Sequence, residues 1–349
     1  MNSTTISVDL AKSVFELAVA GADGRISERH RLSRAKFAQF FVQRSRCCVV
    51  MEACGSAHYW ARRIITLGHD VRLLPAQYVK AYVKRNKTDR ADAAALLEAS
   101  RSADMQAVPV KTVDQQQIQS LHRLRSQWVS TRVRYVNTLR GVLREFGIAI
   151  PLGVNVAKTR IGETLAEVDS GIPDGLRPTL AEMLQEIRAL EDKIDGAEHE
   201  LTVLTHSDER VQQLREIPGI GLLTSTAIRA AVGDIQRFPS GRHFASWLGL
   251  TPRERSSAER RRLGKISKEG DVYLRTLMVH GARAALWAAH RAERSGKSLD
   301  RLRRWALDCE RKRGHNKATV ALANRLARIV WATWKFERPF DGGWSHVAD

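Results

Sequence analysis

Cysteine is scarce in this chain: four residues, Cys47, Cys48, Cys54 and Cys309, in 349. None belongs to a Cys-x-x-Cys half-site matched by a second one, which argues against a zinc cage. Three of the four lie in or beside an apolar run, where cysteine behaves as a small hydrophobe. Such usage fits a reducing compartment. No apolar run is long enough to span a bilayer. The opening MNSTTISVDLAK lacks the basic-then-apolar pattern of an export signal. The expectation is a soluble, cytoplasmic protein with no membrane partner. Acidic residues are also in deficit: 38 Asp and Glu against 57 Lys and Arg leave a formal net charge of +19.

That surplus favours polyanionic partners, nucleic acid first among them, although a basic surface with no specific partner carries the same sum. Its distribution says more. Residues 237–349 hold 25 basic and 11 acidic residues, whereas 179–216 hold 4 and 10. The excess thus sits mainly in the last third, and an acidic segment interrupts the middle. Hydrophobic residues make up 43% of the chain, enough to fold. Its length points to two or three domains.

Short β-branched or apolar runs predict strands at 4–10, 14–20, about 25–32, 48–53 and 70–75. The run CVVMEA at 48–53 reads as a strand buried on both faces. Helices fit 34–44, 56–68 with Ser56 as N-cap, and 88–100 capped by Thr88. The alternation predicts an α/β domain with a mixed sheet over 1–110. A long helix covers 113–146, with Leu121, Trp128, Tyr135 and Val142 as its seam. Residues 147–178 show no clear period and read as a loop-rich connection. In 180–204 one row is Leu180, Ile187, Ile194 and Leu201, and a second is Met183, Leu190, Ala197 and Leu204. This seam predicts a coiled coil that contacts another subunit. The alternative is one half of an antiparallel pair within the chain. The helical region spans 111–215 and a mainly α C-terminal domain 216–349. In the latter, 217–233 reads as a helix-hairpin-helix element. Its Gly219-x-Gly221 turn offers free amides to a phosphate oxygen, or is simply a turn between helices. Helices at about 271–291, 299–313 and 317–335 finish the chain.

Two constellations carry chemistry. Asp9 and Glu52 end two strands, and adjacent strand ends deliver side chains to one sheet edge. Asp89 and Asp92, three apart at a helix start, share one face. Clustered carboxylates repel unless cations neutralise them, and oxygen-loving Mg²⁺ suits them. A pair of such ions can clamp both oxygens of a phosphodiester exchange. Each acid alone has a plainer reading as a cap or a dipole partner. The second set is Ser256 and Ser257 among Arg253, Arg255, Arg260, Arg261, Arg262, Lys265, Lys268 and Arg275. Arginines can screen a phosphate while a serine attacks it. On spacing alone, a solvated basic loop that only grips the backbone is the favoured reading.

The stretches DLAK at 9–12, MEACGSAHYWA at 51–61, NKTDRADAAALL at 86–97, IPGIG at 217–221, FASWLGLTPRERSS at 244–257 and RLGKISKEGDVYLRTLMVHGARA at 262–284 together resemble DEDD-type insertion-sequence transposases, the bridge-RNA-guided recombinases. The resemblance covers nearly the whole chain. It implies an RNase H-like, RuvC-like N-terminal domain, a coiled coil and a C-terminal transposase domain. It also implies Asp9, Glu52, Asp89 and Asp92 as ligands of Mg²⁺, with Mn²⁺ as a substitute. By its position before Gly264-Lys265-Ile266, Ser257 matches the nucleophile that links covalently to DNA, with Ser256 adjacent. Ala258 stands where the family often has glycine. The implied partners are donor and target DNA, a non-coding guide RNA and further copies of the chain, as a dimer or tetramer in which one subunit's serine completes another's metal site. A location at the bacterial nucleoid during activity follows. Two other readings remain: a metal-dependent, structure-specific endonuclease of the junction-resolving kind, and a nucleic-acid-binding protein that has lost catalysis.

Overall fold

The structure, a computed structural model, describes residues 4–83, 88–257 and 260–341, without the side chain of Asp89. The chain divides into two units, Met1–Val113 and Asp114–Asp349. The regions 111–215 and 216–349, read apart in the sequence, lie together in the second.

The first unit is a mixed five-stranded sheet with helices on both faces. Its strands are β1 (Thr5–Leu10), β2 (Val14–Ala20), β3 (Ile26–Ser33), β4 (Cys48–Glu52) and β5 (Asp70–Leu74). Their spatial order is β3-β2-β1-β4-β5. β1, β4 and β5 run parallel, while β2 and β3 join antiparallel. The strands sit where the apolar runs predict them. β4 is apolar throughout because both its faces are covered. Val49 and Met51 enter one layer with Phe37, Phe41, Trp60 and Ile64. Val50 enters the other with Leu74, Leu96 and Ala99. The first layer is built by α1 (Arg34–Val42) and α2 (Ala57–Thr66); the second holds α3 (Ala76–Val79) and α4 (Asp89–Ser100). Thr88 caps α4 as expected, its hydroxyl accepting from the Ala91 amide at 3.2 Å. Ser56 does precede α2, but in a left-handed conformation (φ 68°) and with no side-chain cap bond.

The second unit opens on α5 (Val113–Glu145), α6 (Val154–Ala166) and α7 (Arg177–Leu204). α5 and α7 form an antiparallel pair. Arg125 meets Glu198 at 2.7 Å and Arg132 meets Glu191 at 3.5 Å, so numbers rise along one helix as they fall along the other. Val136, Leu139 and Leu143 pack with Leu180, Leu184 and Ile187, and Ile118 packs with Leu201. The α7 seam is therefore buried within the chain, which corrects its expected use as a subunit contact. The α5 seam is also shifted: Ile118, His122, Val136, Leu139 and Leu143 are buried, whereas Leu121, Trp128, Tyr135 and Val142 flank them half-buried. The loop expected over 147–178 contains α6, whose Ala157 and Ile161 join the same core. Gly162 and two threonines weaken its local helix signal, so packing fixes what propensity leaves open.

The rest is α8 (Glu209–Arg215), α9 (Leu222–Val232), α10 (Gly241–Trp247), a hairpin of β6 (Pro252–Glu254) and β7 (Leu263–Ile266), then α11 (Val272–Arg294), α12 (Arg301–Arg313) and α13 (His315–Lys335). α13 is the central helix, with Leu322, Ala323, Leu326, Ala327 and Val330 all buried in one core. His122 ties α5 to this core. Thr226 Oγ1 donates to the Leu222 carbonyl at 2.7 Å, so it accepts from His122 Nε2 at 2.9 Å; Nδ1 then accepts the Tyr273 hydroxyl at 2.9 Å. Burial, and secondly the charge of Arg125, pushes the imidazole down from 6.5 to about 4. Among the described residues no helix is long and apolar enough to cross a membrane.

Truncating the seam by Ile187→Ala should cost about 2–5 kcal/mol in chemical unfolding, as for a buried core aliphatic, and leave the mass of the folded protein unchanged in sedimentation. Because His122 is held neutral, the unfolded chain binds the extra proton first. Its contribution to stability is complete above about 6.5 and is lost as pH falls toward about 4. Unfolding midpoints across that window should slope less in His122→Gln than in the parent.

Candidate active site

In unit 1 the sheet register places the acids. β1 pairs in parallel with β4, with Val8 opposite Met51, and the residues that follow are Asp9 and Glu52. Side chains alternate across a strand. Val8 and Met51 face the aromatic layer, so Asp9 and Glu52 face the α4 side, as Ser7 and Val50 do. Cys54 senses both acids: burial raises its thiol pKa, and the charges of Glu52 and then Asp9 add to the rise.

α4 brings the third acid. Ala93, Leu96 and Leu97 are its sheet-facing residues. Asp92 continues that stripe backward by helical spacing to the first turn. The Ser7 hydroxyl, two residues before Asp9 on the same face, donates to the Ala93 carbonyl at 2.5 Å and seats this turn against β1. Asp92 Oδ1 is buried and accepts no hydrogen bond from the described residues. Asp9, Glu52 and Asp92 thus share one face of the sheet, while the Asp89 side chain lies outside the described residues. Among the described residues no three His, Cys, Asp or Glu side chains close into a metal-holding group. The structure adds a carboxylate that the sequence reading missed. Glu16 stands opposite Asp9 across β1 and β2, paired to Arg31 at 3.3 Å. Its signal was the alternation Glu16, Ala18, Ala20 in β2, since Ala18 and Ala20 pack with Ala93 and Leu97 of α4.

In unit 2 the serines lie at the end of the β6–β7 hairpin. Glu254 pairs with Leu263, and beyond them the chain turns in a bridge between Ser257 and Arg260. The serines differ in what they do. The Ser256 hydroxyl donates to Glu254 at 2.7 Å and accepts the Arg262 amide at 3.2 Å, latching the two arms. That bond, followed by the charge of Arg261, holds the Glu254 carboxyl below its usual range. Ser257 is exposed, and its hydroxyl makes no hydrogen bond among the described residues; Ala258 and Glu259 lie outside them.

The surrounding cations divide likewise. Arg253 donates to the Ser267 carbonyl at 2.9 Å, Arg275 to the Leu248 carbonyl at 3.4 Å, and Arg261 pairs with Glu254 at 3.2 Å. The side chains of Arg255, Arg260, Arg262, Lys265 and Lys268 have no carboxylate partner among the described residues. A cavity of about 380 Å³ lies between Arg253, Arg255, Arg262 and Lys265, large enough for a phosphate group. In the glycine turn, Gly219 has a structural cause. At φ 89°, a Cβ there would sit 2.5 Å from the Gly281 carbonyl oxygen, so the turn meets α11 backbone to backbone. Gly221 N-caps α9 with no side-chain cap bond.

Comparison with known proteins agrees with both halves. A family model described as a transposase, of the DEDD IS110 type, matches residues 6–148. A second, described as the transposase IS116/IS110/IS902 family, matches 211–297. The chain is 42% identical over 333 residues to a probable family 20 transposase of Pseudomonas aeruginosa, covering 95% of this chain and 97% of the relative. It is 37% identical to the transposase for insertion sequence element IS1111A of Coxiella burnetii, covering 94% and 88%. It is also 37% identical to the transposase for IS1328 of Yersinia enterocolitica, covering 95% and 96%.

The latch predicts a local effect. Ser256→Ala removes the acceptor of the Arg262 amide and should raise its hydrogen-exchange rate on the order of fivefold, as for one lost hydrogen bond of roughly 1 kcal/mol. Exchange in the α13 core should not change.

Proposed function

We propose a mechanism from one premise: the chain belongs to the IS116/IS110/IS902 family of insertion-sequence transposases and is a DNA transposase. In this reading unit 1 is an RNase H-like domain of the RuvC kind, as its strand order β3-β2-β1-β4-β5 supports. Asp9, Glu52, Asp89 and Asp92 hold Mg²⁺ or Mn²⁺. The fit rests on the oxygen-only donor set and on the buried Asp92 Oδ1, which has no hydrogen-bond partner among the described residues. A bound cation would polarise the scissile phosphate and stabilise the leaving oxygen.

Ser257 is the nucleophile. Its Oγ forms a bond to phosphorus as a deoxyribose oxygen departs; the hydroxyl proton passes to solvent and the departing oxygen takes one up. Attack by the hydroxyl of the incoming strand reverses the process and frees the serine. Arg255, Arg260, Arg262 and Lys265 hold and screen the phosphate. The observation that carries this choice is the difference between neighbours: Ser256 is engaged in the latch, and Ser257 has no such bond. The α8-turn-α9 segment grips a backbone phosphate at the uncapped α9 N-terminus, in the manner of a helix-hairpin-helix. A non-coding RNA selects donor and target, a reading supported by the family resemblance. Ser257 and the acids belong to different units, so the working site is assembled with DNA and further subunits in the cytoplasm, at the nucleoid.

A covalent trap tests the proposal. Protein, guide RNA, labelled DNA and Mg²⁺ are mixed, denatured and digested, and the linked peptide is mapped. The expected linkage is at Ser257, absent in Ser257→Ala, retained in Ser256→Ala and abolished by chelator. Linkage at Ser256 would overturn the residue. Cleavage without linkage would overturn the serine mechanism in favour of hydrolysis by the metal domain.

A further inference from the structure

A cavity of about 950 Å³ in unit 2 lies between α12, α13 and the base of the hairpin. One face of α13 lines it: Lys317, Val320, Asn324, Arg325 and Arg328 recur at helical spacing. The opposite face of α13 is spent on the core.

The cations here are like those around the serines and unlike the paired ones on helices of the unit. Arg229, Arg303 and Arg311 each pair with a carboxylate of their own chain. Lys265, Lys268, Arg313, Lys317 and Arg325 all line the cavity, and among the described residues none of their side chains has a carboxylate partner. Asp341 is the one carboxylate in the lining and is exposed. Arg325 is half-buried, and burial together with the like charges of Arg328 and Arg301 lowers its pKa. Six clustered cations face a single carboxylate among the described lining residues, and an added anion relieves their mutual repulsion. Yet the floor is apolar, with Leu250, Leu302 and Ile329 in the lining. The Arg325 guanidinium sits over the Trp305 ring, 4.5 Å from its centroid, so a cation and an aromatic face are presented together.

This combination selects among polyanions. A duplex presents phosphates and keeps its base faces stacked inside. An unpaired strand presents phosphates together with base faces, which suit cations above an apolar, aromatic floor. We propose that the α12–α13 groove binds an unpaired polynucleotide strand, with phosphates on Lys268, Arg313 and Lys317 and a base against Trp305 and Arg325. The proposal rests on the reading of the chain as a nucleic-acid enzyme and adds a strand site apart from Ser257.

Photo-crosslinking tests it. A short oligonucleotide carrying 5-iodouracil is offered to the full chain as single-stranded DNA, as single-stranded RNA and as a duplex, and the adducts are mapped. Crosslinks to Trp305 are expected from a single strand, and the arm that gives them identifies the strand as DNA or RNA. The double variant Arg313→Gln, Lys317→Gln should weaken single-strand affinity roughly tenfold and flatten its salt dependence by about 0.7 per lost phosphate contact. Duplex affinity and the thermal unfolding midpoint should stay near the parent's. Adducts confined to 254–262, or an equal loss for single strand and duplex, would overturn the groove. The covalent linkage at Ser257 would survive that result, so the two proposals fail separately.

Discussion

The parallel register of β1 against β4 is the constraint on which unit 1 depends. It sets Val8 beside Met51 and therefore puts the next residues, Asp9 and Glu52, at the same level of the sheet. A slip of one residue in either strand would turn its carboxylate into the layer of Phe15, Phe37 and Trp60. Those three rings contact one another edge to face at 4.6–5.5 Å and leave no room for a desolvated charge. The aromatic layer thus enforces the register from one side, while on the other the small residues Ser7, Ala18 and Ala20 let α4 lie close to the sheet. The acids face α4 because every other arrangement buries them without a partner.

Much of this was legible in the sequence, since strand periodicity and buried apolar runs are local signals. The five strands of unit 1, α4 with its Thr88 cap, and the placement of Asp9, Glu52 and Asp92 all follow from period and position. What escaped depends on partners remote in the chain. The α7 heptad shows that a seam exists but not what covers it; the answer is α5, through Leu139, Leu143 and Ile118. The α5 seam was misplaced by a residue because Trp128 and Tyr135 look like core residues yet lie half-buried beside it. Ser56 has the chemistry of an N-cap, but its left-handed backbone leaves the hydroxyl out of that role. The hairpin was invisible because its exposed arginines carry no strand alternation.

The acidic interruption in a basic chain has a physical use inside unit 2. Glu198 meets Arg125, and Glu191 meets both Arg132 and Lys158. These acids of α7 neutralise cations on α5 and α6 that would otherwise repel within the antiparallel pair. The segment's negative charge is thereby consumed locally, in helix pairing. The positive field of 237–349, with 25 basic against 11 acidic residues, has far less acid to oppose it.

The hairpin that carries the serines owes little to hydrophobic burial. All three residues of β6 are exposed, and in β7 only Ile266 is partly covered. A lone two-stranded ribbon is marginal in water, so its shape rests on polar bonds: Arg253 to the Ser267 carbonyl, Ser256 to Glu254, the Arg262 amide to Ser256, and Arg261 to Glu254. Exposed ion pairs of this kind contribute little each. A DNA phosphate is a stronger partner for Arg261 than a solvated carboxylate, and its arrival can exchange one for the other with small net loss. The latch through Ser256 need not change in that exchange, because it is made by a hydroxyl and an amide. The two serines thus divide the work: Ser256 holds the arms through its hydroxyl, while Ser257 closes the turn through its backbone carbonyl, which accepts the Arg260 amide at 3.1 Å.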